Sequence, residues 1–229
     1  MAIEFTELTE GQATNSAQTH DTASIAPDAN ALIIAVVYVR TNTVTGAPSL
    51  SGCGLTWQLI SGGGAYNVSI YRAVGTPSPG VVTIDYPGTE TCAAVIWGIY
   101  QFTSTEIGNN GADAIQQVKT GNTGTTVRTL TAFTAWQSGS AGLVAFGTPG
   151  TYPSTPASGW TETTDRAISG SASLAVHYKI GDPSGTPAAN YGASNPSSCD
   201  ARGIEILAAV PTIHFMAGIG FGDFDTTIP

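Results

Sequence analysis

Reactive side chains are sparse in this chain, and none stands at a spacing that catalysis or metal binding requires. Its three histidines, His20, His177 and His214, form no H-x-H or H-E-x-x-H pair. His20 sits in a polar Thr/Asp stretch, His177 in the strand-like "SLAVHYKI" and His214 in "TIHFM". Cys53, Cys92 and Cys199 include no C-x-x-C. An odd count with no leader in front reads as reduced, buried thiols serving as small core groups. G-x-S-x-G and the P-loop are absent, and "GIGFGDFD" (218–225) has no helix behind it to bind phosphate. Oxygen ligands for calcium are available at Asp223 and Asp225 and at Asn109, Asn110 and Asp113. The same residues are ordinary turn formers, and turns are the simpler reading. We therefore expect no catalytic, cofactor-binding or metal-binding residues, no cofactor, and no enzymatic activity.

Aromatic side chains offer a different chemistry, the stacking of sugar rings. Trp57, Trp97, Trp136 and Trp160 and the loop tyrosines Tyr66, Tyr152 and Tyr191 are the candidates. Trp97 lies inside an apolar run, and Trp57 and Trp160 follow similar turns, so these three are expected in the core. Tyr66, Tyr152 and Tyr191 remain as possible glycan contacts.

Composition narrows the partners. Only 10% of the 229 residues are charged, against roughly a quarter in ordinary soluble domains. Gly, Pro, Ser and Thr take their place, which suits a turn-rich β protein in a large assembly. A net charge of −9, with the seven Lys and Arg dispersed, argues against nucleic acid as partner. The acidic opening "MAIEFTELTEGQ" is not a signal peptide, and no apolar run reaches membrane-spanning length.

The elements that would position these residues read as strands. "ALIIAVVYV" (31–39), "LTWQLI" (55–60), "NVSIYRAV" (67–74), "GVVTIDY" (80–86) and "CAAVIWGIYQF" (92–102) are separated by dense turn formers. Only "GADAIQQV" (111–118) is compatible with a short helix. The fold class is all-β, an antiparallel β-sandwich of jelly-roll type.

The second half echoes the first. An offset of 107 aligns Tyr71 with Tyr178, Arg72 with Lys179, Cys92 with Cys199 and Ile99 with Ile206. With small loop changes Trp57 meets Trp160 and "LIIAVVYV" meets "LVAFGT". We read two pseudo-repeats, 13–104 and 105–210, forming one composite sandwich of 11 to 12 strands. An N-terminal arm (1–12) and a C-terminal arm (211–229) lie outside the repeat. The C-terminal arm is rich in Phe and Gly, unusual for a solvated end.

The stretches "SGCGLTWQLI", "YRAVGTPSPGVVTIDY" and "TCAAVIWGIYQFTSTEIGNNGADAIQQ" resemble the Gly/Thr-rich β-sandwich structural proteins of tailed bacteriophages. The resemblance covers most of the first repeat and, loosely, the second. It implies a virion protein of the capsid decoration or cement type, assembled in the host cytoplasm. Its partners would be the major capsid protein or other virion subunits, with the chain itself a homo-oligomer. Subunit and capsid contacts are then expected at Phe5, Ile213, Phe215, Met216, Phe221, Phe224 and Ile228. The alternative is a carbohydrate-binding β-sandwich module of a phage tail or adhesion protein.

Overall fold

An apolar run without polar interruption, such as 31–39, demands cover on both faces of its sheet. The computed structural model describes residues 2–40, 44–63, 67–88, 90–92, 94–181, 185–192 and 196–210. The expected contacts Ile213, Phe215, Met216, Phe221, Phe224 and Ile228, together with Tyr66, lie outside the described residues.

The first half contains β1 (Glu4–Ala13), β2 (Thr19–Asp21), β3 (Leu32–Val39), β4 (Ser49–Gly52), β5 (Gln58–Ser61), β6 (Val68–Ala73), β7 (Val82–Asp85) and β8 (Val95–Thr103). The second contains β9 (Ile115–Thr120), β10 (Asn122–Thr123), β11 (Val127–Leu130), β12 (Ala141–Pro149), β13 (Thr155–Pro156), β14 (Thr161–Ile168), β15 (Ala172–Ile180), β16 (Ala188–Asn190) and β17 (Asp200–Ile206). The chain is all-β, with antiparallel pairing throughout these strands and one helical turn at Gly108–Gly111. The stretch 111–118, compatible with helix in the sequence, supplies β9, whose residues alternate between partly covered and exposed.

The sheets form four layers. One inner sheet has the order β1-β8-β3-β6-β5 and the other β9-β17-β12-β15-β14; the outer sheets are β2-β7-β4 and β10-β11-β16-β13. Setting β10 aside, the two halves run through one strand order. The halves share no sheet, so each closes its own sandwich and the two inner sheets meet face to face. Contacts of β8 with β15 and of β6 with β17 mirror one another about the β3–β12 crossing. The match is partial, since β14 also meets β1 and β8 whereas β5 makes no comparable contact with β9 or β17.

Three apolar cores result. Leu32, Ile34, Val36 and Tyr38 face Leu143, Ala145, Leu174 and Ile204 between the inner sheets. The alternate residues of β3, Ile33, Ala35, Val37 and Val39, face Val82, Ile84 and Trp97 in the first sandwich. Val144 and Phe146 face Leu130, Phe133 and Trp160 in the second. The unbroken run of β3 is thus two alternating faces, both buried.

Face assignment changes the internal alignment. Leu32 pairs with Phe102 and Ala141 with Ile206, making these the corresponding residues of the two halves. Ile34 pairs with Arg72 and Leu143 with Tyr178, so Arg72 corresponds to Tyr178 and Tyr71 to His177. Tyr71 points into the first sandwich whereas Tyr178 packs on the central core. Ile99 and Ile206 likewise occupy different cores. A one-residue slip reverses the face of every side chain on a strand, and the uniform offset conceals such slips because the loops of the halves differ in length.

Residues 1–12 are no arm. Residues 4–13 form the edge strand β1, paired with β8 from Glu4 opposite Thr103 to Ala13 opposite Val95. Phe5, expected as an external contact, stacks on Tyr178 with centroids 3.9 Å apart and meets Phe102 edge-on at 5.3 Å. Its ring therefore closes the rim of the central core. Polar contacts finish both rims: Arg166 Nε donates to Glu10 Oε1 at 2.9 Å, and Arg202 to Ser61 Oγ at 2.7 Å. Between them the Tyr100 and Thr164 hydroxyls, both buried, share a hydrogen bond of 2.8 Å.

Candidate functional site

The connection between the halves builds one wall of a cleft among the described residues. Ser104 to Ala114 passes beside the chain's last described residues, where Ala209 N–H donates to Ser104 O and Val210 N–H to Glu106 Oε1. Within it Asn109 (φ 51°) and Asn110 (φ 54°) are left-handed, a conformation Asn tolerates better than most residues. Gly111 follows at φ +76°, and a Cβ there would lie 2.6 Å from Leu32 Cδ1, so glycine is required. Asn110 Nδ2 donates to Thr56 O and its Oδ1 accepts Val74 N–H, both at 2.8 Å. Asn109 Nδ2 donates to both carboxylate oxygens of Asp113. The loop is therefore locked by its own amides.

This loop faces β5 and β6 across a cleft of about 560 Å³. Gln58, Arg72 and Val74 line one wall, and Ile107, Asn109 and Asn110 the other. Gln58 and Arg72 are directly opposed in the β5–β6 ladder. Arg72 Nε donates to Asn110 O at 3.1 Å. The calcium reading of Asn109, Asn110 and Asp113 fails on this geometry, because one carboxylate is held by an amide and Asn110 Oδ1 is held by a backbone N–H. Asp223 and Asp225 lie outside the described residues.

A smaller cleft of about 280 Å³ lies at the second sandwich, lined by Pro153, Ser154, Thr155, Asn190, Tyr191 and Gly192. The structure brings Tyr152 and Tyr191 together edge to face, with centroids 6.2 Å apart. Tyr191, expected on an exposed sugar platform, is only 4% exposed. It presents an edge at most, because its ring belongs to the second outer core with Trp160 and Phe146. Trp57 and Trp160 immediately precede β5 and β14 and pack on the outer core of their own half, while Trp97 is buried in the first.

Near the smaller cleft, Glu162 Oε1 accepts from Ser154 Oγ and lies 3.3 Å from Nε2 of the fully buried His177. The carboxylate sits between hydroxyl and imidazole, so the imidazole does not touch the hydroxyl and the Ser–His contact of a hydrolase triad is not made. Asp165 is held above the usual carboxylate range, first by burial and then by Glu162.

Two tyrosine–cysteine pairs occupy corresponding places, with Tyr86, Cys92 and Tyr191 buried and Cys199 half-buried. Tyr86 follows β7 and lies by Cys92; Tyr191 follows β16 and lies by Cys199. Burial pushes the Cys92 thiol up and the Cys199 thiol up to about 12. Thiolate is the reactive form, so a disulfide-exchange reagent at mildly alkaline pH should label neither thiol until denaturant is added. Immediate labelling of either would contradict the buried placement.

His20, in β2, is 4% exposed, and its Nε2 has no hydrogen-bond partner. Burial lowers its pKa below the ordinary 6.5, outweighing the Ala17 carbonyl and Asp21, which raise it. Between the folded value and 6.5 the unfolded chain holds more protons than the folded one. Stability is therefore complete above 6.5 and falls as pH drops through that window. Thermal melts at neutral and mildly acidic pH should show a smaller acid-induced decrease for His20→Phe than for the parent; equal decreases would contradict this.

The cleft-lining residues that the sequence did not single out as a site are Arg72 and Gln58. The visible signal was "GNNG", read there as turn chemistry. No protein-family model, curated protein or solved structure matches the chain.

Proposed function

We propose that this chain is a non-enzymatic structural protein of a bacteriophage virion, of the capsid decoration or cement type. The observation that supports this reading is an apolar sequence that follows a charge-poor β fold. Among the described residues, three apolar cores draw on side chains from Ile3 to Ala208. The Phe-rich stretch 211–229 follows directly on Val210, which is 77% exposed. A rigid stack with a charge-poor, hydroxyl-rich surface suits a subunit that bridges neighbours, and apolar segments of this type are what interfaces bury. Its partners under this reading are the major capsid protein or other virion subunits.

Deleting 211–229 tests the reading. The shortened chain should stay soluble and keep its melting behaviour while losing incorporation into particles. Normal incorporation of the deletion would overturn it. The second reading, a carbohydrate-binding module of a tail or adhesion protein, has the Tyr152–Tyr191 contact in its favour. Loss of glycan-array binding on Tyr152→Ala would support that reading instead.

A further inference from the structure

The five arginines differ in what their terminal nitrogens meet. Arg40 Nη1 donates to Ser171 Oγ, Arg128 to the carbonyls of Gly124 and Pro196, and Arg202 Nη1 to Ser61 Oγ. Arg166 pairs with Glu10 through Nε. Arg72 engages only its Nε, with Asn110 O, and has no carboxylate partner among the described residues. Its two terminal nitrogens are left to the larger cleft. What sets Arg72 apart from the other arginines is that it stands in the wall of the larger cleft with only Nε engaged.

The rest of the cleft specifies what would meet it. The Gln58 side chain is exposed, sits opposite Arg72 and supplies both an amide donor and an acceptor. Asn109 Nδ2 is engaged by Asp113, which leaves its Oδ1 as an acceptor. Val74 and Ile107 add an apolar surface, with Ile107 39% exposed. The walls are preformed, because Asn110 ties the loop to Thr56 and Val74. The cleft, about 560 Å³ in volume, is shallow and wide open to solvent, which suits a surface-bound sugar ring rather than an enclosed ligand.

We infer that this cleft binds a carboxylate-bearing sugar of the uronic acid type, with Arg72 forking onto the carboxylate. Gln58 and Asn109 meet the ring hydroxyls, and Val74 and Ile107 cover the C–H face of the ring. One planar fork suits a monoanionic carboxylate, through two parallel charge-assisted bonds. A phosphate dianion would call for more donors than the cleft offers. The inference uses none of the tyrosines of the smaller cleft, and it stands whether or not the chain is a virion component.

The test is an amide chemical-shift titration of the full-length chain with glucuronate, glucose and inorganic phosphate. Glucuronate should shift the amides around Arg72 and Asn109 and saturate, with glucose and phosphate at least ~10-fold weaker, the equivalent of losing one charge-assisted interaction. Arg72→Gln should weaken glucuronate by ~10-fold or more. Gln58→Glu is the second variant. It lies on an exposed edge strand and puts a carboxylate opposite Arg72 that competes for the fork, so it should weaken glucuronate to a similar degree even if Arg72→Gln fails to fold. Absence of glucuronate binding, unchanged affinity in Gln58→Glu, or phosphate binding equal to glucuronate would each overturn the inference.

Discussion

Glu205→Ala is expected to destabilise the chain by about 2–4 kcal/mol, the cost of leaving hydrogen-bond donors of a buried network without their acceptor. Glu205 is fully buried in β17. Its Oε1 accepts Gln137 N–H at 2.9 Å and Ser140 Oγ at 3.0 Å, and its Oε2 accepts Gln117 Nε2 at 2.6 Å. Alanine leaves the Gln137 N–H and one Gln117 amide proton without an acceptor, while Ser140 Oγ keeps only its bond to Gln137 O, and it releases the loop that leads into β12. Glu205→Gln should also destabilise, by about 1–3 kcal/mol, since its new amide would confront that of Gln117. Gln117 has no easy flip, because it donates to Thr134 O and accepts Thr134 N–H. The corresponding residue of the first half is Gln101, opposite Ile33 as Glu205 is opposite Gly142. Gln101 ties down Asp28 before β3, accepting its N–H at 2.7 Å and donating to its carboxylate at 2.6 Å. Each half therefore pins the entry to its central strand from the same position. Chemical denaturation of both Glu205 variants checks this; a cost under about 1 kcal/mol for Glu205→Ala would contradict it.

Gly147→Val is the second large effect. Gly147 lies in β12 on the face toward the central core, where a Cβ would stand 2.2 Å from the ring of Tyr38. Tyr38 is itself fully buried in β3 and has no room to withdraw. Overpacking of this kind costs typically 1–3 kcal/mol and more where backbone must move. We expect about 3 kcal/mol or more, seen as a drop in Tm of roughly 6–12 °C at 2–4 °C per kcal/mol for a chain of this size. Tyr38→Leu opens space at the same contact, so the double variant should be more stable than the sum of the single costs allows. Strict additivity would place the strain elsewhere.

The central strands were legible because their physics is local. An apolar, β-branched run such as 31–39 is a strand buried on both faces, and Gly/Pro-rich stretches mark its ends. The edge strand β1 was not legible, since "EFTELTEGQA" keeps most residues half-exposed and its acidic side chains suggest an arm. The shared strand order left traces in Trp57/Trp160 and Cys92/Cys199, which sit at loop positions beside corresponding strands. Tyr71/Tyr178 misled, because pairing by identity ignores which face a residue occupies. The larger cleft was hidden for a different reason. Arg72 and Asn110 are 38 positions apart, and only the return of the 104–114 connection beside β6 brings them together. Nothing local to Arg72 distinguishes it from the arginines whose nitrogens are engaged.

The proposed role is tested most directly by quantitative mass spectrometry of gradient-purified virus particles from the source of the chain, a phage under this proposal. The account predicts the full-length chain in the particle fraction, in a fixed, many-copy ratio to the major capsid protein that persists through repeated purification. Its absence from particles, with all of it recovered free in the lysate, would contradict the account.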